Sequence, residues 1–167
     1  VTDTNDTTTV SITGDGGVAE GAAASYTVSL TSAAQTAVSV NLSYSGVAAD
    51  GIDFTGVASV TIPAGASSAN FSVATLQDVI GEGVENFTVT IVSAAVGNFE
   101  NLVISSANGA QTTSISDDDT PTIAVSSPTV GEGGFAIFTV SLSNASTTAV
   151  VFTPSLSSGS ATVGTDT

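Results

Sequence analysis

The side chains equipped for chemistry in this sequence are carboxylates, and ten of them fall in four groups. Asp15 and Glu20 form the first, Asp50 and Asp53 the second, Asp78, Glu82 and Glu85 the third, and the run Asp117-Asp118-Asp119 the fourth. Nothing basic balances them: the chain has 15 Asp and Glu, no Lys, Arg or His, and a formal charge of −15. That composition excludes most catalytic chemistry. Without His, Cys or Lys there is no Ser-His-Asp or Cys-His nucleophile, no Schiff base and no thiolate metal site. Without Lys or Arg there is no phosphate clamp and no means of displacing the counterions of a nucleic acid, so no nucleic-acid partner is expected. Crowded carboxylates have three ways to relieve their repulsion, which is about 4 kcal/mol for two charges about 4 Å apart at an effective dielectric of 20. They can share protons, face water or bind a metal. Every ligand on offer is a hard oxygen, which suits Ca²⁺ with its six to eight ligands; borderline and soft metals look for nitrogen or sulfur. The bland alternative is a set of loop acids that keeps the protein soluble. Asp53 and Glu85 could also form a glycosidase-like pair, but there is no Trp to build a sugar platform. Both Tyr26 and Tyr44 fall on expected strands, and no enzyme is expected.

The elements that must position these acids are strands. Segments 8–13, 23–31, 36–45, 56–62, 68–76, 85–93 and 111–116 alternate Val, Ile, Leu, Phe or Tyr with Ser and Thr, as half-buried antiparallel strands do. Gly, Pro, Asp and Ala clusters such as Thr13–Gly17, Gly46–Gly51 and Pro63–Ser67 separate them. No segment keeps a period near 3.6. Apolar residues make up 41% of the chain, enough for a core and unlike an acidic disordered tail. The expected class is all-β, an immunoglobulin-like Greek-key sandwich of about seven strands, without the Trp and Cys pair of antibody domains.

The chain also repeats itself. Val18-Ala19-Glu20-Gly21 followed by Tyr26-Thr27-Val28-Ser29-Leu30 returns as Val130-Gly131-Glu132-Gly133 followed by Phe138-Thr139-Val140-Ser141-Leu142. Thr36-Ala37-Val38 returns as Thr148-Ala149-Val150, and Gly51-Ile52-Asp53 is echoed by Gly164-Thr165-Asp166. The expected organisation is the end of a preceding repeat or linker over 1–7, containing Asp3 and Asp6. A complete sandwich comes next, over 8–120, and then the first strands, A to C, of a second repeat over 121–167. Half a sandwich cannot cover its own apolar face. Either the sequence is cut from a longer array or another chain completes the fold by strand exchange. No apolar run spans a bilayer. Residues 1–10 carry no signal-peptide pattern, and the sequence reads as beginning inside a longer protein.

If strands A to G alternate up and down, all ten acids share one end of the sandwich and Glu100 alone marks the other. Strand A of the next repeat begins about two residues after the Asp run, with Pro121 stiffening the link. A cation bound there would tie loops and linker together.

These residues resemble a known family. Asp53-Phe54, a strand ending Ile62-Pro63-Ala64-Gly65, Phe71-Ser72-Val73, Asp78, Gly81-Glu82-Gly83-Val84-Glu85-Asn86-Phe87-Thr88-Val89 and the Asp run together look like a Calx-beta domain over residues 8–120, with the start of a second copy. The resemblance implies Ca²⁺ as ligand and Glu20, Asp53, Asp78, Glu82, Glu85, Asp117, Asp118 and Asp119 as its ligating residues. The E–F loop, Leu76-Gln77-Asp78-Val79-Ile80, is poorer in acids than exchanger domains of the family, which implies fewer or weaker ions. The Ser/Thr/Ala/Gly richness and the absence of basic residues resemble the tandem repeats of giant bacterial calcium-dependent surface adhesins. That resemblance implies a non-enzymatic, extracellular, cell-surface spacer repeat stiffened by Ca²⁺, with neighbouring copies of the repeat as partners. The alternative is a calcium-sensing module of a larger transport or signalling protein.

Overall fold

The computed structural model describes residues 6–157, 159 and 160. Asp3 and the echo Gly164-Thr165-Asp166 lie outside the described residues. The chain forms two compact units. The first holds residues up to Asp78 and Gly83–Asp118, and the second holds Val79–Glu82 and the residues from Asp119 onward. Among the described residues there is no helix long and apolar enough to cross a membrane.

The first unit is an all-β sandwich of the immunoglobulin-like type. Its strands are β1 (Thr7–Gly14), β2 (Gly17–Ala19), β3 (Ala23–Leu30), β4 (Val38–Gly46), β5 (Phe54–Thr55), β6 (Ser59–Ile62), β7 (Ser68–Thr75), β8 (Glu85–Val96), β9 (Asn101–Ile104) and β10 (Ala110–Ser116). One sheet runs in the order β5-β7-β3-β1-β9 and the other β2-β10-β8-β4-β6. The seven expected strands are all present. The three shortest additions, β2, β5 and β9, sit at sheet edges, where short strands limit unwanted pairing.

Alternation builds the core. Val10 and Ile12 of β1, Tyr26 and Val28 of β3, Val38 and Val40 of β4, and Phe87 and Val89 of β8 are all buried between the sheets. The rings of Phe54 and Phe87 stack with centroids 4.4 Å apart. The pairing of β4 with β8 shifts between Asn41 and Leu42, which face Ser93 and Ile91 and leave Val92 unmatched. This bulge turns Val92 outward and lets Ala94 pack against the core.

The chain changes sheet between β1 and β2. A Cβ on Gly14 would run into the Tyr26 ring, so the switch needs glycine there. Asp15 pins the crossover: its N–H donates to Ser25 O at 3.0 Å and its carboxylate accepts the Ser25 N–H at 2.8 Å. The Thr113 hydroxyl donates to Asp15 O at 2.6 Å and bonds the Tyr26 hydroxyl, a buried link from one sheet to the other. Gly46, at the end of β4, has φ of 145°, and a Cβ there would collide with the Asn86 carbonyl. That carbonyl already accepts the N–H groups of Val47 and Ala48, each at 3.0 Å. The substitution Gly46→Ala is expected to cost about 1–3 kcal/mol, read as a lower denaturant midpoint with an unchanged slope.

In the second unit β11 (Ile123–Val125) pairs antiparallel with β12 (Val140–Leu142), Ile123 opposite Leu142 and Val125 opposite Val140. The repeat-equivalent residues of the first unit pair the same way, Val10 opposite Leu30 and Ile12 opposite Val28. The segment Val79–Glu82 is built into this unit. The Gly81 N–H donates to Ala145 O at 2.8 Å and its carbonyl accepts the Thr147 N–H at 3.0 Å. The strand expected around Thr148–Val150 is not formed there.

Candidate metal centre

Three loops of the first unit deliver carboxylates to the end at which β10 terminates. Glu20 comes after β2, whose last residue, Ala19, faces Ser116 of β10. The Glu20 N–H donates to Ser116 O at 3.0 Å, which fixes the residue beside Asp117, the next in chain. Asp78 arrives after β7: its N–H donates to the Glu20 carboxylate at 2.7 Å. Carboxylate oxygens of Glu20 and Asp78 lie within 4.8 Å of each other. The Glu20 carboxyl is also hydrogen-bonded to Asp117. Asp118 is held one step further on by Gln77, whose amide donates to it at 3.0 Å and to the Asp78 carbonyl at 3.3 Å. Gln77 is absent from the ligand set expected from the sequence. Its signal there is weak, a neutral amide beside an acid; in the structure the Gln77 side chain lies against Gly21, whose φ is 71°.

A second pair forms from the C–D loop and the start of β8. Carboxylate oxygens of Asp53 and Glu85 lie within 4.8 Å of each other. Asp53 is positioned by the Ala49 N–H, which donates to its Oδ2 at 2.6 Å, and by its own carbonyl, which accepts the Leu76 N–H at 2.9 Å. The first unit therefore brings together Glu20, Asp78 and Asp117, with Asp118 alongside, and separately Asp53 with Glu85. Glu82 and Asp119 belong to the second unit, each peptide-bonded to a residue of the first. Of the ten acids expected at one end, two lie outside the expected ligand set and have structural partners. Asp15 holds the sheet crossover, and Asp50 accepts the Gly56 N–H at 2.8 Å. Each accepts a backbone N–H from further along the chain, Ser25 for Asp15 and Gly56 for Asp50.

The surroundings of Glu20 act on its carboxyl. Burial holds its carboxyl above the ordinary value of 4.5, and the negative charges of Asp78 and Asp117 and the hydrogen bond with Asp117 act in the same direction; the Asp78 N–H opposes them. The native state thus binds this proton more tightly than the unfolded chain does. The associated stability is fully present below the unfolded value and is lost as pH rises through the raised native one. In chelator, lowering the pH from 7 toward 5 is expected to raise the melting temperature of the native sequence relative to Glu20→Gln; equal pH slopes for the two proteins would contradict this.

A cation offered this arrangement would meet oxygen atoms only, with no basic side chain to compete for the carboxylates. The donor set fits Ca²⁺. Glu20 and Asp78, with Asp117 beside Glu20, would contribute to one ion, and Asp53 and Glu85 to another.

Fold and site define an immunoglobulin-like β-sandwich with carboxylates gathered where its last strand leaves. The LapA domain family model matches residues 6–118, and the chain belongs to that family. Among solved structures it is similar to the apo form of the Calx CBD1 domain, with 22% identity and a TM-score of 0.57 over 67% of this chain and 98% of that one. It is also similar to CBD12 of CALX1.2, with 22% identity and a TM-score of 0.56 over 66% of this chain and 46% of that one. A third similar structure is the calcium binding domain CBD12 of CALX1.1, with 24% identity and a TM-score of 0.53 over 64% of this chain and 42% of that one. At these identities the likeness is one of fold. Curated proteins offer no match.

Proposed function

We propose that the chain is a non-enzymatic, calcium-binding structural repeat of a large extracellular or cell-surface adhesin, stiffened by Ca²⁺. The observation that carries this is the convergence of Glu20, Asp78 and Asp117 in a protein without a single Lys, Arg or His. No internal ion pair can neutralise that end, so a divalent cation from the medium is the efficient counter-charge. Membership of the LapA domain family, which is adhesin-related, supports the adhesin reading. The name of a structural neighbour, a calcium binding domain, supports the ion. The likeness of β11–β12 to β1–β3 in sequence and register supports tandem repetition, with residues 8–120 as one repeat and 121–167 as the start of another. In this reading the partners are neighbouring copies of the repeat.

The test is a calcium titration of the full chain by calorimetry together with small-angle scattering. Binding in the range of about 10⁻⁴ to 10⁻³ M, with a longer and stiffer particle, is the expected result. Tight binding with a change of shape and no stiffening would favour a sensor. Absence of heat and of any change in scattering would reduce the acids to a solubilising surface.

A further inference from the structure

The second and the last strands of the first unit lie side by side and point the same way. β2 pairs in parallel with β10, Gly17 opposite Ser114, Val18 opposite Ile115 and Ala19 opposite Ser116. Bonds extend the ladder at both ends: the Ser114 N–H donates to Gly16 O at 3.1 Å and the Glu20 N–H to Ser116 O at 3.0 Å. Side chains add two more, Thr113 Oγ1 to Asp15 O at 2.6 Å and Ser116 Oγ to Val18 O at 3.2 Å. β1, which precedes β2 in the chain, is itself parallel to β9 over Thr7–Val10 opposite Asn101–Ile104. The chain therefore enters the unit at the end where the Asp6 N–H bonds Glu100. It leaves after β10 at the opposite end, beside Glu20.

We propose that this pairing is a mechanical clamp, and that the unit has a second function as a load-bearing link that resists tension applied along the chain. Tension between the entry and exit points runs along the strand axes. Because β2 and β10 are parallel, that pull slides one past the other, and every bond between them is loaded at once. A hairpin pulled from its two ends opens instead one bond at a time. Behind the clamp, β10 is anchored to β8 over six residue pairs, from Ala110 opposite Thr90 to Ile115 opposite Glu85. β1 is held on its other side by β3 over five, from Val10 opposite Leu30 to Gly14 opposite Tyr26. Forced unfolding depends on the height of the unfolding barrier rather than the equilibrium stability, so the direction of pull decides the strength. The clamp uses backbone and hydroxyl groups and goes beyond the calcium reading, which it does not require.

Single-molecule force spectroscopy on the full chain tests this. In one arm the chain is held by its two termini. In the other it is held through G16C and T112C, which are unambiguous handles because the native sequence has no Cys. Gly16 has open space for a side chain and Thr112 is exposed. The two positions flank the first bond of the ladder, from the Ser114 N–H to Gly16 O, so pulling them apart across the strands peels the pair. An unchanged denaturant midpoint for the double variant shows that the two arms compare directions and not stabilities. The expected result is an unfolding force several times higher through the termini than through residues 16 and 112 at equal loading rate. It should come with release of the roughly 100 residues between the clamped strands, about 330–360 Å of chain, in one step. Equal forces in the two directions, or release in small successive steps, would overturn the clamp. Both arms are run in calcium and in chelator. A lost directional ratio with a calcium response intact would sink the clamp alone. An intact ratio with no calcium response would sink the metal reading alone.

Discussion

In calcium at a hundred times its dissociation constant, the protein is expected to melt about 10 °C higher per occupied site than in chelator. An ion that binds the native state only contributes about 2.7 kcal/mol at that excess. A domain near 100 residues gains about 4 °C or more per kcal/mol. The gain should disappear in Glu20→Gln with Asp78→Asn, because the Asp78 N–H bonds the Glu20 carboxylate and oxygens of the two carboxylates lie within 4.8 Å of each other. The same double substitution removes like charge, so in chelator it should leave the melting temperature unchanged or raise it. That opposite sign separates a metal site from a generally important region. A double variant that still gains about 10 °C from calcium would move the ion elsewhere.

The second large effect is in the core. Phe87 is fully buried, stacked on Phe54 and tilted against Tyr44 at a centroid distance of 6.2 Å. Truncation to alanine is expected to cost about 3–5 kcal/mol, a large part of the roughly 5–15 kcal/mol that holds a domain together. Phe138 is the counterpart of Tyr26 in the sequence repeat, yet it is 52% exposed where Tyr26 is 2%. Phe138→Ala should change the main unfolding transition by no more than about 0.5 kcal/mol. Urea unfolding monitored by far-ultraviolet dichroism reads both. Comparable losses in the two variants would mean that the second unit supports the first energetically.

Strand alternation makes the core legible in the sequence. Val10, Ile12, Val28, Val38, Val40 and Val89 all sit where a period of two puts them. The elements that alternation could not show are those defined by their partner. β2 and β5 have three and two residues, too short for any period, and exist because β10 and β7 offer ladders beside them. The parallel pairing of β2 with β10 results from the sheet switch at Gly14–Gly16, where the local signal is only a run of glycine and aspartate. The site is legible to the extent that loops at one end share acids. Glu20, Asp78 and Asp117 obey that rule, whereas Asp15 and Asp50 escape it because each is taken up by a more distant backbone N–H, that of Ser25 and that of Gly56. The passage of Val79–Glu82 into the second unit rests on backbone bonds to Ala145 and Thr147, which no composition encodes.

The pairing of β1 with β9 and of β2 with β10 also sets a timetable. Thr7 finds Asn101 and Gly17 finds Ser114, partners made more than ninety residues later. At about 5–20 residues per second of synthesis, the first strands of the unit wait on the order of 5–20 s for the strands that close over them. Distant pairing of this kind also folds slowly once the chain is complete. A nascent chain therefore cannot complete either pair until the last strand of the unit has emerged. At that point the sandwich closes as a whole, so its length is handed over in a single quantum.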